Sequence, residues 1–264
     1  MTTSKGLLNR GVTLARRLDF SGAIATFSQV IQTRPDYAKA YYNRGCAHYV
    51  TECYERALED FIQTIDLDAN YFSAYLNRGN THRKLGHKEA ALEDFECSIQ
   101  LVPLSALGYA NRGLLRFDEK DYGGATRDFD YALQLQPYFF QAYLWRGIGR
   151  LKCGQFQLAI YDFNQALDYL PSCSEGYNGR GLAYFYLGCY EESLADFEQA
   201  IILNPEFTEA FNNRANLRAE LHDYMGAMED YCRGLQLNPD LPQIGQLNQG
   251  LKHSPMTEFV SILR

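Results

Sequence analysis

Apolar and small residues recur along the chain at two spacings, about four residues within a segment and 34 residues between segments. In residues 72–105, Tyr75, Gly79 and His82 mark one face of a first helix, and Ala91, Phe95, Ser98 and Ile99 mark one face of a second. Between them Leu85-Gly86-His87 offers a glycine for the left-handed position that ends a helix, as Gly154 and Gly188 do in their own segments. Each segment is predicted to be a helical hairpin. Aligned on Arg-Gly, seven segments follow without insertion or deletion from Arg10 through Arg44, Arg78, Arg112, Arg146, Arg180 and Arg214, with Ala215 in place of the last glycine. Other columns keep the step: Tyr41, Tyr75, Tyr109, Tyr143, Tyr177 and Phe211; Ala23, Ala57, Ala91, Ala125, Ala159, Ser193 and Ala227; Phe27, Phe61, Phe95, Phe129, Phe163, Phe197 and Tyr231. A hairpin of this size cannot bury its apolar stripe alone, so neighbours must stack to make a core.

The resulting organisation is all-α. Seven repeats occupy 4–37, 38–71, 72–105, 106–139, 140–173, 174–207 and 208–241, and 242–264 is expected to form a C-terminal capping helix or helix pair. In that tail Ile244, Leu247 and Leu251 share one helical face, and Ser254-Pro255 suits the start of a last short helix. The columns also account for an unusual composition of 20 Tyr and 16 Phe against one Trp. An aromatic, a small residue four later, then Ala, an aromatic, a small residue and Pro, as at Tyr75, Gly79, Ala91, Phe95, Ser98 and Pro103, resembles the tetratricopeptide repeat. The Asn-Arg-Gly and Asp-Phe variants are similar to a subtype common in bacterial members. The resemblance implies a right-handed superhelical solenoid of antiparallel helix pairs, with a concave groove lined by the first helices that binds peptides or protein segments. Departures from the pattern, such as Ala69 for Pro and Ala215 for Gly, leave the period intact.

Function is sought on the first-helix face turned away from the second helix. Asn9, Asn43, Asn77, Asn111 and Asn213 each precede the repeated Arg, with Trp145 and Gly179 interrupting the series. The resemblance implies that such asparagines line the groove and hold the backbone of an extended peptide, since each amide is both donor and acceptor. The alternative is that they bond to neighbouring helices. Where the series breaks, the face turns apolar at Leu107, Leu114, Leu144, Trp145, Ile148 and Leu182, which reads as a partner site or as packing between repeats. The same face carries Lys5, Arg16, Lys39, Arg83 and Lys84 early in the chain and Glu175, Glu209 and Glu220 late, a polarity that would direct acidic residues of a bound segment to the first three repeats. A clamp of basic residues around a C-terminal carboxylate is disfavoured, because Leu8, Tyr42, Leu76 and Ala110 stand where its cations would be.

The repeated Arg precedes an Asp by sixteen residues in six repeats: Arg44 and Asp60, Arg78 and Asp94, Arg112 and Asp128, Arg146 and Asp162, Arg180 and Asp196, Arg214 and Asp230. That step crosses the hairpin turn and predicts structural ion pairs with a planar fork fit. Catalysis finds no recurrent nucleophile–base pair or phosphate loop. No metal site is expected, because none of His48, His82, His87, His222 and His253 lies four residues from another or from a cysteine in ligand spacing. No cofactor is implied. A net charge of −7 argues against nucleic acid. The longest uncharged stretches hold proline and glutamine, which argues against a membrane span. Seven scattered cysteines without CxxC, and no secretory leader, point to reduced thiols and a cytoplasmic setting. The expected role is a non-enzymatic adaptor or assembly factor, monomeric or weakly self-associating, that holds another protein or peptide. The alternative is a self-associating structural module that uses the first repeat and the tail.

Overall fold

A computed structural model describes residues 3–239. Every regular element among them is an α-helix, and consecutive helices pair antiparallel. The chain divides into two compact units, one ending at Pro137 and the other beginning at Tyr138.

In the first unit α1 (Ser4–Arg16) pairs with α2 (Phe20–Thr33), α3 (Ala38–Val50) with α4 (Tyr54–Leu67), α5 (Phe72–Lys84) with α6 (Lys88–Leu101), and α7 (Ala106–Asp118) with α8 (Tyr122–Leu135). In the second, α9 (Phe140–Lys152) pairs with α10 (Phe156–Tyr169), α11 (Ser174–Tyr186) with α12 (Tyr190–Leu203), and α13 (Thr208–Glu220) with α14 (Tyr224–Leu237). The hairpins of each unit follow the 34-residue step. The capping segment predicted over 242–264 lies outside the described residues.

Each hairpin closes on one aromatic ring. Phe27, Phe61, Phe95 and Phe129 in the first unit, and Phe163 and Phe197 in the second, are 0–1% exposed, and each buried ring stabilises the fold by roughly 1.5–3 kcal/mol. The glycine after the repeated Arg makes room for it. A Cβ at Gly79 would sit 2.7 Å from Phe95 Cε1, closer than real contacts allow. The seventh repeat changes both partners together: the position is Ala215, and the ring is Tyr231, which stays 8% exposed with its hydroxyl donating to Asn216 Oδ1 at 2.6 Å.

The turn within each hairpin uses one left-handed residue. Gly86, Gly154 and Gly188 occupy it at φ of +74° to +77°, and Leu18, Glu52, Lys120 and His222 occupy the same column at φ of +59° to +64°. A side chain in this conformation costs about 1–2 kcal/mol, so the four substituted turns are held by the packing on either side. Asp19, Asp121 and Asp223 then cap the second helices by accepting from the amides of Gly22, Gly124 and Gly226.

Candidate functional site

In the second to seventh repeats the repeated Arg is held by a ring and a carboxylate, and Arg44 and Arg180 are held from a third side as well. Three residues before it, one helical turn back, the aromatic column puts a ring under the guanidinium, at 5.3–5.8 Å from the centroid for Tyr41, Tyr75, Tyr109, Tyr143, Tyr177 and Phe211. Across the hairpin it forks onto the buried Asp of the second helix. Arg44 Nη2 lies 2.7 Å from Asp60 Oδ1 and its Nε 2.9 Å from Oδ2, and Arg78 repeats this on Asp94 at 2.6 and 2.9 Å. Arg112 reaches Asp128, Arg146 reaches Asp162, Arg180 reaches Asp196 and Arg214 reaches Asp230, all through Nη2 at 2.6–2.7 Å. The third side is the preceding repeat: Arg44 Nη1 donates to Ser28 Oγ at 3.0 Å, and Arg180 Nη1 to Asn164 Oδ1 at 2.6 Å. The cations are thereby committed to holding hairpins together, with their donors directed at protein acceptors.

Three carboxylates take a second Arg that the sixteen-residue step does not reveal. Arg116 Nη1 donates to Asp128 Oδ2 and Arg150 Nη1 to Asp162 Oδ2, both at 2.8 Å, and Arg218 Nη1 donates to Asp230 Oδ2 at 3.0 Å. The signal was present as an Arg four residues after the first, one turn along the same helix face. The second, third and sixth repeats have His48, His82 and Tyr184 in that column. His48 is 7% exposed and its Nδ1 has no partner; burial holds its imidazole below the usual range.

The asparagine column lies against the preceding repeat more than against open groove. Asn77 Nδ2 donates to Tyr42 Oη at 3.1 Å and to Cys46 Sγ at 3.3 Å, and Asn213 Nδ2 donates to Asn178 Oδ1 at 2.9 Å. Asn77 thus spends both of its N–H donors, and Asn213 one of its two, on the preceding repeat of their own units, the neighbouring-helix arrangement for these donors. The tyrosine and thiol in this network are both half-buried, and loss of water raises the Tyr42 phenol above its usual range and pushes the Cys46 thiol up to about 11. At Gly179, in the same column, an added Cβ would meet Phe163 Cζ at 2.5 Å, so an amide has no room there. Asn43 differs. Its Nδ2 is buried without a partner, and the equivalents of Tyr42 and Cys46 one repeat earlier are Leu8 and Val12, which cannot accept a hydrogen bond. Asn9 is exposed and Asn111 half-buried.

The apolar residues divide between the units. In the first, Leu107 is 47% exposed and Leu114 is half-buried. In the second, Leu144, Ile148 and Leu182 are half-buried and pack against the cluster of Leu151, Ala159, Phe163 and Ala183, so a good part of each side chain serves the hairpin core. Trp145 is half-buried. Further apolar side chains on the same first-helix face are open, Val50 at 56% in the first unit and Tyr186 at 55% in the second. Among the charged residues Arg83 is taken by Asp118 at 2.7 Å, while Lys5, Arg16, Lys39 and Lys84 of the first unit and Glu175, Glu209 and Glu220 of the second are exposed.

No three His, Cys, Asp or Glu side chains converge on a metal position among the described residues, and no described helix is long and apolar enough to cross a membrane.

Comparisons with known proteins agree with this geometry. Family models described as tetratricopeptide repeat match residues 8–72, 72–101 and 174–207. No curated protein matches the chain significantly. Among solved structures, the Cut9–Hcn1 hetero-tetramer of the APC/C superposes with a TM-score of 0.73 at 18% identity over 82% of this chain, which spans only 43% of that chain's length. A tetratricopeptide repeat protein from Parabacteroides merdae superposes with a TM-score of 0.70 at 19% identity, covering 93% of this chain and 97% of its own. YrrB, described as a TPR protein with an unusual peptide-binding site, gives 0.56 at 20% identity over 70% of this chain and 95% of its own. Antiparallel hairpins at a 34-residue step, ring against glycine in six and against Ala215 in the seventh, together with the matched repeat models, place the chain in the tetratricopeptide repeat family.

Proposed function

We propose that the chain is a non-catalytic protein-interaction scaffold whose first-helix faces hold a peptide or a segment of another protein. One observation carries the reading. On first-helix faces, Val50 and Leu107 of the first unit remain 56% and 47% exposed, and Tyr186 of the second is 55% exposed while its ring stacks on Phe156 at 4.9 Å, whereas the recurring Phe rings are 0–1% exposed. Large apolar side chains left in water on a recognition face are the usual mark of a partner site. Leu114 in the first unit, and Leu144, Trp145, Ile148 and Leu182 in the second, would shape the pockets for apolar anchors. The exposed lysines and arginine of the first unit favour acidic residues there, and the glutamates of the second favour basic ones. The peptide-binding site of YrrB, a structural neighbour, fits the same reading.

The test is an immobilised peptide array probed with the whole chain and with Leu107→Glu and Val50→Glu, both on exposed positions. Bound peptides should lose affinity about tenfold or more for at least one variant, with the thermal midpoint unchanged. Unaltered binding by both variants overturns the site. Light scattering on a dilution series separates this reading from self-association, which would show a mass above that of the monomer.

A further inference from the structure

We propose that His82 and His87 form a chelating site for a first-row divalent metal ion of the zinc, nickel or copper class. The two residues sit on either side of the α5–α6 turn, where Gly86 at φ +77° reverses the chain and brings their rings together. Their Nδ1 atoms are 3.3 Å apart, with ring centroids at 5.5 Å. Two nitrogens each about 2.0–2.1 Å from one tetrahedral metal are separated by about 3.3–3.4 Å, so the spacing is that of a bound pair. Imidazole nitrogen is also the donor that this class of ion prefers.

The rest of the array shows why two imidazoles are unusual at this place. In the seventh repeat the same columns hold Arg218 and Asp223, whose Nε and Oδ2 lie 3.8 Å apart, so the two positions come within reach of each other across the turn and there bear opposite charges. In the third repeat both side chains meet through Nδ1, a contact made by one Nδ1–H donating to the other ring's lone pair or by a cation that both lone pairs share.

Access and charge also suit an ion. His87 is exposed and His82 half-buried, and with no third His, Cys, Asp or Glu converging among the described residues, the remaining coordination positions are left to water. Nearby cations are largely compensated, Arg78 by Asp94, Arg83 by Asp118 and Lys88 by Glu119, with Lys84 exposed. A search of the sequence for ligands within one helix overlooks this site, because the two donors belong to different sides of a turn.

The experiment titrates the whole protein with Co2+ alone, and in a second arm with Ni2+ alone, about one pH unit above the free imidazole value. Calorimetry should show one equivalent bound, and cobalt should develop the d–d bands of nitrogen and oxygen coordination without thiolate charge transfer. His87→Gln, on an exposed position, should weaken binding roughly 10–100-fold and leave helix content and the metal-free thermal midpoint unchanged. His82→Gln should weaken it similarly. The site is overturned by absence of saturable binding, in which case the pair holds a proton only; by a thiolate band, which assigns the metal to cysteine; or by wild-type affinity in His87→Gln. None of these outcomes bears on the peptide-binding reading, which uses other residues.

Discussion

In the second repeat Asp60 takes one guanidinium, from Arg44, and the column that could supply another holds His48, buried and with Nδ1 unpartnered. In the fourth, Asp128 takes two, from Arg112 and Arg116. Both carboxylates are nearly inaccessible, at 3% and 1% exposed. The backbone geometry around them is the same, so a single forked Arg is enough to close a hairpin. A second Arg is an addition that some repeats carry, and its column is where the array admits variation without losing its fold.

The strongest way to break this comparison is to remove each carboxylate. Asp128→Ala strands two cations and should destabilise the protein by about 3–5 kcal/mol, whereas Asp60→Ala strands one half-buried Arg and should cost about 2–3 kcal/mol. Urea unfolding followed by helical signal measures both, and equal losses would mean that the second Arg contributes nothing. A smaller effect comes from exchanging the variable column. His48→Arg should rebuild the fourth-repeat arrangement and stabilise by about 1–2 kcal/mol, with Arg116→His losing a similar amount.

The same exchange has a pH signature. Burial puts the folded His48 value below that of the unfolded chain, so the folded state binds fewer protons in between. The corresponding stability is present above the unfolded value, about 6.5, and is lost as pH falls from there toward the folded one. His82 behaves alike. Unfolding midpoints measured across this window should therefore slope less steeply in His48→Arg than in the wild type, with the His82 share remaining. An unchanged slope would show that His48 is not held neutral.

The smallest effects sharpen the contrast between two asparagines. Asn77→Leu removes two hydrogen bonds and should cost about 1 kcal/mol, while Asn43→Leu removes an unpaired buried donor and should be neutral or stabilising by up to about 1 kcal/mol. Thermal melts of both variants decide it, and equal destabilisation would mean that the Asn43 amide has a partner.

The hairpins were legible because a period of 34 repeats both the ring and the glycine that admits it, and because Gly86, Gly154 and Gly188 mark the turns. The four turns with Leu18, Glu52, Lys120 and His222 carry no such mark, and only the register identifies them. The candidate site was less readable. A column count says which residues are equivalent but not which side of the helix meets the preceding repeat. The sequence therefore leaves Asn77 open between groove and neighbouring helix, and the bonds to Tyr42 and Cys46 assign its donors to the neighbour. Leu144, Ile148 and Leu182 are likewise open between partner site and packing in the sequence, and their half-burial against the cluster of Leu151 and Phe163 is visible only in the packed helices. His82 and His87 are five residues apart, a spacing without meaning in a straight helix, and they meet only because the chain reverses between them.

The seventh hairpin shows what can be exchanged in such a chain. Ala215 faces Tyr231, while in the other repeats glycine faces phenylalanine with no space for even one more carbon. A first helix bearing alanine would crowd the Phe ring of any other second helix, so recombination that moves the first helix of the seventh hairpin alone is penalised, whereas the six glycine–phenylalanine hairpins can exchange halves at this contact. For the seventh hairpin the unit that can be moved intact is accordingly both helices together.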